Sequence, residues 1–312
     1  MTLAEFLQLD LGPLLLVVLA GVACALPGNF LLLKRASLVG DTIAHAVLPG
    51  IVVAFILTGT TAPAPIMIGA VVAALCATLL VNLIAHTARL EQGASMALVF
   101  TSFFSLGVVL LEVSGARAVH IDTEHALMGA VENALWLSAT GLTSFVDGAA
   151  LASFPTSVLR VAAVAMLAAV IVSLLFKELK VTAFDPAFAS VAGLRPHLAD
   201  GVLLVLAAVA AVAAFDAVGA ILTIALFVCP PATARLLTDR LERQVPISAA
   251  IAATTGVVGY AMAALLPRLF GFDLAVNAGG MVALVSSIFL LIVAWKARRR
   301  AASAGRLAKR DG

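Results

Sequence analysis

The chain has 312 residues, of which 63% are hydrophobic and 12% charged, with a formal net charge of +2 and a mean hydropathy of +1.15. A soluble domain carries about 25% charged residues, so this composition excludes a globular protein built on one large core and requires a polytopic membrane chain. The near-neutral charge argues against a nucleic-acid partner, and the absence of a Walker phosphate-binding pattern excludes nucleotide hydrolysis by that route.

The N-terminal stretch MTLAEFLQLD lacks the basic region of a cleavable signal and reads as a short interfacial segment. Charge-poor runs then predict membrane spans near 11–33, 36–58, 64–85, 94–112, 157–176, 199–215, 218–236, 246–266 and 276–295. The expected fold is an all-α polytopic transmembrane helix bundle of about nine helices (eight to ten), forming a single domain over residues 1–312. Abundant Ala, Gly and Ser suit close helix packing. The three cysteines, Cys24, Cys76 and Cys229, lie in apolar runs and read as small core residues rather than a disulfide framework. The runs 199–215 and 218–236 are short and are joined by FDAVGA, so Asp216 at their junction is a candidate for lining a transport pathway.

A cytoplasmic C-terminus places 16 of the 19 Lys and Arg on the inner side, as the positive-inside rule expects. With nine spans the N-terminus then lies outside, 113–156 is an extracytoplasmic segment, and 297–312 is a basic cytoplasmic tail that also meets lipid headgroups.

The run SLVGDTIAHAVLPG, residues 37–50, puts an acid and an imidazole inside a predicted span. Asp41 and His45 are spaced i, i+4, so a helix sets both on one face. A carboxylate in hydrocarbon costs several kcal/mol unless it faces a cavity or a partner, so the face should point into the bundle. Carboxylate oxygen plus imidazole nitrogen suits a first-row divalent ion such as Mn²⁺, Fe²⁺ or Zn²⁺. Two ligands suit an ion in transit, with water or a second copy of the chain completing the shell. The spacing alone equally permits a hydrogen bond that pins packing, or a proton relay. The LPG at 48–50 is expected to break the helix just beyond the pair, or to kink it.

A second polar cluster, AVHIDTEHALMGAVEN, carries His120, Asp122, His125 and Glu132. On the outer face these residues would receive a metal ion or contact a delivering protein, or form an ordinary solvated loop. Two inner segments, 176–197 and 230–245, hold candidate surface helices. Asp185-Pro186 is a plausible helix start. Pro230-Pro231 is read as opening a charged amphipathic helix that includes Arg235, Leu236, Asp239 and Arg240. Short helices on that face would dock a soluble partner or simply connect spans.

The blocks LKRASLVGDTIAHAVLPGI, LVFTSFFSLGVVLL, FKELKVTAFDPAFASVAGL and VGAILTIALFVCPPATARLLTDRL occur in this order over about 12–295. Through them the chain resembles the membrane permease subunit of metal-ion ABC importers, which carry zinc, manganese or iron(II). The resemblance implies a type II-like importer permease in the plasma (inner) membrane of a bacterium, with no permanently bound cofactor and with Mn²⁺ or Zn²⁺ (or Fe²⁺) as cargo. It implies two cytoplasmic ATPase subunits, an extracytoplasmic metal-binding protein, and a dimer with itself or a paralogous permease. Asp41 and His45 match the family's ion-binding pair, and the 230–243 region matches its ATPase-facing segment. Where the family has Ser before the histidine this chain has Ala44, and FDLAVNAGG lacks the family's Asp-Leu-Pro proline. The rival reading is a proton-coupled secondary metal transporter working without an ATPase, with Asp41, His45 and Asp216 as relay. No Ser/His or paired-Asp motif supports an intramembrane enzyme.

Overall fold

The computed structural model describes residues 2–34, 36, 39–60, 62–114, 129, 131–270 and 276–308. The long helices are α1 (Leu3–Leu33), α2 (Val39–Thr58), α3 (Pro63–Thr87), α4 (Gln92–Val113), α6 (Thr156–Leu174), α9 (Pro196–Val218), α10 (Ala220–Leu237), α11 (Leu241–Phe270) and α12 (Ala278–Ala308). Short helices α5 (Gly148–Ala152), α7 (Phe176–Phe184) and α8 (Pro186–Val191) lie between them. Among the described residues, eight helices are long and apolar enough to cross a membrane, and α2 adds a shorter apolar stretch, His45–Thr58. The chain is therefore an all-helical membrane bundle.

The N-terminal segment is helical and continuous with the first span. A capping box starts α1 at Leu3, with the Glu5 N–H donating to Thr2 Oγ1 and the Thr2 N–H to Glu5 Oε2. A π turn over Phe6–Asp10 follows and leads straight into the span. In that register the Gln8 carbonyl would look to Pro13, which has no N–H. It accepts instead from the Trp136 N–H at 2.9 Å, while Gln8 Nε2 donates to the Ala139 carbonyl at 2.6 Å. The π turn thus moors the 131–155 segment to α1.

α1 lies at the centre, packed against α6, α9, α10 and α11. The Ala-rich α9 buries Ala207, Ala208, Ala210, Ala211 and Ala214, whose small side chains let neighbouring backbones approach. Helices α2, α3 and α4 form one flank, and α10, α11 and α12 form the other. A buried polar clasp joins α1 to α11: Asn29 Nδ2 donates to Ser248 Oγ (2.6 Å), and Gln244 Nε2 donates to Asn29 Oδ1 (3.0 Å).

Contacts sort the connections into two ends. One end holds the Lys34–Asp200 ion pair and the Lys180–Glu242 ion pair. The other holds the 131–155 segment, whose Trp136 is fully buried, donates through Nε1 to the Ala150 carbonyl at 2.8 Å, and meets Phe145 and Phe154 edge-on.

Three expectations change. α9 runs full length to Val218, so Asp216 sits inside a helix rather than between two half-helices. The break falls at Gly219, whose φ of +83° suits glycine. α2 continues through Pro49 without ending, because packing against α3 and α4 outweighs one lost hydrogen bond. Finally, Pro230 and Pro231 lie inside α10 and are buried, so they do not open a surface helix; α10 runs to Leu237 and α11 starts at Leu241. The Phe227 carbonyl, which Pro231 cannot serve, faces the Cα of Gly28: a methyl built there would lie 2.5 Å from that oxygen.

Candidate functional site

Two close approaches seat α2. At its start, a methyl on Gly40 would lie 3.0 Å from Cγ of Phe227 on α10. At its middle, Gly50 and Gly69 of α3 face each other so closely that a methyl on Gly69 would lie 2.5 Å from the Gly50 carbonyl. From the other side, Gly107 of α4 lies against Leu48 and Pro49. Glycines at these positions let three helices converge around the segment that carries the acid and the imidazole.

Asp41 lies in the first turn of α2, where the positive end of the helix favours an anion; its side chain is outside the described residues. His45, one turn on, is half-buried against two rings of α4. Its imidazole lies 4.5 Å, centroid to centroid, from Phe100, and 5.6 Å from Phe104, which it meets edge-on. The helix thus brings residues 41 and 45 onto one face. Among the described residues, no group of three or more His, Cys, Asp or Glu side chains is placed to hold a metal ion. A two-ligand site on one chain would bind weakly, needing water or a second chain to complete it.

The other candidates fall elsewhere. His120, Asp122 and His125 lie outside the described residues. Glu132 Oε1 accepts from the Ala278 N–H at 3.3 Å, so it caps α12 and ties the 131–155 segment to it. Asp216 is paired with Arg160 of α6 at 3.2 Å, and Arg160 also reaches the Met67 sulfur at 3.5 Å. Asp185 accepts from the Phe188 N–H at 2.9 Å and caps α8, with Pro186 in its first turn. Next to this cap Phe184, Phe188 and Val191 are exposed while Ala189 is fully buried. In the α10–α11 turn, Arg235 donates to the Asp239 carbonyl at 2.9 Å, the Arg240 N–H reaches Thr238 Oγ1, and Leu236 is exposed. Sequence reasoning missed Phe100, Phe104, Lys34 and Asp200. Lys34 and Asp200 are 166 residues apart, and no spacing rule joins them.

The ABC 3 transport family profile matches residues 9–297. The chain belongs to the ABC 3 transport family. It is 39% identical over 249 residues to the manganese transport system membrane protein MntD of Bacillus subtilis, covering 80% of this chain and 81% of that one. It is 35% identical over 271 residues to the zinc transport system membrane protein TroD of Treponema pallidum, covering 87% and 71%. Among solved structures it resembles PsaBC from Streptococcus pneumoniae in complex with Fab, with a TM-score of 0.70 and 27% identity over 90% of this chain and 89% of that one. This ABC 3 family member is thus a multi-pass membrane permease.

Proposed function

We propose that this chain is the transmembrane subunit of an ATP-driven importer of manganese or zinc in a bacterial plasma membrane. The observation that carries the reading is the match, over four-fifths or more of the chain, to membrane proteins named for manganese and zinc transport. The permease performs no covalent chemistry; separate ATPase subunits hydrolyse the nucleotide, and nothing favours a proton-coupled transporter without them. Iron(II), with the same nitrogen and oxygen ligand preferences, is the third cargo to test.

In this reading the end carrying Lys34, Lys180 and the C-terminal basic run faces the cytoplasm. An extracytoplasmic protein delivers the ion to the opposite end, where the 113–156 segment, with His120, Asp122 and His125, receives it or docks the carrier. The ion then passes to Asp41 and His45, whose weak two-ligand hold lets it leave again. Two copies of the chain, or this chain and a paralogue, enclose the pathway. The ATPase docks on the exposed apolar residues of α8 beside the Asp185 cap, and on the Arg235–Arg240 turn. Buried Pro230 and Pro231 shape α10 from within.

The test is metal accumulation in cells expressing the complete transporter, wild type against Asp41→Ala and His45→Ala, with trace Mn²⁺, Zn²⁺ and Fe²⁺ supplied separately. Loss of uptake of one ion in both variants, at equal membrane levels, names the cargo and the transit site. Uptake that survives both substitutions removes the pair from the pathway.

A further inference from the structure

We propose that Lys34 is a positioning residue that links the α7–α8 segment to the turn of α2 bearing Asp41. The proposal rests on the reading above, in which α8 meets the ATPase and α2 carries the ion.

Lys34 closes α1, where a cation is favoured by the helix's negative end. Its ammonium makes two contacts on two other elements. It pairs with Asp200 Oδ1 of α9 at 2.6 Å, and it donates to the Thr182 carbonyl of α7 at 3.1 Å. Thr182 is fully buried, so the α7 backbone at that point is held within the bundle. One turn back along α1, the Phe30 ring meets Phe176, the first residue of α7, edge-on at 6.2 Å between centroids. The end of α1 is therefore fastened to both ends of α7, by an apolar contact and a charged one. The next element, α8, is the one with exposed Phe188 and Val191.

In the other direction the link is short. Only residues 35–38 separate Lys34 from Val39, where α2 begins, and Asp41 stands in that first turn. Ala36 is buried, and its N–H donates to the Leu31 carbonyl at 2.8 Å, so the connection holds to the end of α1. The start of α2 is pressed on Phe227 through Gly40. A displacement of α7 therefore reaches the end of α1, which lies only four residues before the turn of α2 that bears Asp41.

The Lys34 and Asp200 side chains are 18% and 42% exposed, and the Asp200 oxygen that meets the ammonium is itself buried, so the contact sits at the edge of the bundle, partly shielded from water. Beside the pair lies a cavity of about 90 Å³ lined also by Thr78, Asn82 and Gln92. Its lining is mostly apolar, but these three polar side chains offer a second position for either charged group, as a two-position switch requires.

The experiment uses the complete transporter, with its ATPase subunits and binding protein, reconstituted in vesicles. It measures ions moved per ATP hydrolysed for wild type, Lys34→Met, Lys34→Arg and Asp200→Asn. Expected is a fall in that ratio of at least about fivefold in Lys34→Met and Asp200→Asn, in line with coupling between distant sites, with ATP hydrolysis within about twofold of wild type. Lys34→Arg should restore the ratio. An unchanged ratio in both variants overturns the proposal, as does a parallel loss of transport and hydrolysis, which would mark a merely structural residue. Asp200→Asn, a near-isosteric change at a half-exposed site, keeps the test open if Lys34→Met fails to assemble. Phe188→Asp tests the underlying reading separately. It should release the ATPase subunits, and their retention would refute docking on α8 without touching the ratio measured for Lys34.

Discussion

The contact between α2 and α3 can be read by one substitution made in two places. At Gly69 an added methyl would lie 2.5 Å from the Gly50 carbonyl oxygen and 2.6 Å from the Ala54 methyl. Ordinary carbon–oxygen and carbon–carbon contacts fall at about 3.3–3.6 Å and 3.5–4.0 Å, so α3 must withdraw by about 1 Å. Overpacking of that kind costs roughly 1–3 kcal/mol. Alanine also favours a helix over glycine by about 1 kcal/mol, so Gly69→Ala should destabilise by about 0–2 kcal/mol. At Gly201, inside α9, a methyl would meet nothing within 4 Å. There the same change should stabilise by about 0.5–1 kcal/mol. The helix-propensity gain is common to both, so the difference between the variants isolates the steric cost, about 1–3 kcal/mol. The assay is the apparent unfolding temperature of the solubilised protein at one fixed scan rate, because membrane-protein unfolding is commonly irreversible. Equal shifts in the two variants would show that α2 and α3 do not touch as closely as argued, and the seat of Asp41 and His45 would lose its main support.

Four further outcomes follow from other contacts. Asn29→Ala strands the Gln244 amide in the core, while the Ser248 hydroxyl keeps its bond to the Val245 carbonyl, so it should cost about 1–3 kcal/mol, read as a lowered unfolding temperature. Trp136→Ala empties a fully buried site at a cost of about 3–5 kcal/mol, and limited proteolysis should then cut within 131–155. Arg160→Met breaks an ion pair whose Asp216 side chain is 51% exposed, so its effect on stability should stay below about 1 kcal/mol; a larger drop in the unfolding temperature would show that Asp216 is held in a drier place. Phe100→Leu removes the ring nearest His45; aromatic contacts of this kind contribute about 0.5–1.5 kcal/mol, so the metal concentration for half-maximal uptake should rise by about two- to twelvefold, and an unchanged value would separate the ring from ion binding.

The fold was legible where hydropathy alone decides it. The runs at 94–112 and 157–176 appear as helices Gln92–Val113 and Thr156–Leu174, because a bilayer admits few other ways to satisfy twenty apolar residues. The i, i+4 spacing of Asp41 and His45 was legible for the same reason. What misled was proline. At 49 and at 230–231 it reads as a boundary, yet both sites lie within helices. Local rules count the lost hydrogen bond and cannot count what tertiary packing returns: Gly50 against Gly69, and Gly28 against the Phe227 carbonyl.

The same limit hides the charged partners. Lys34 follows an apolar run and Asp200 sits near the start of another, so each looks like a headgroup-level residue marking the edge of a span. Only the packing of α1, α7 and α9 makes them meet. In a bundle with so few charges, helix ends are where charge can be kept at low desolvation cost. In the proposed reading they are also where the ATPase subunits push. The residues that the positive-inside rule treats as topology markers are therefore the ones to test for transmission, and the Lys34–Asp200–Thr182 contact is where that test has a defined geometry.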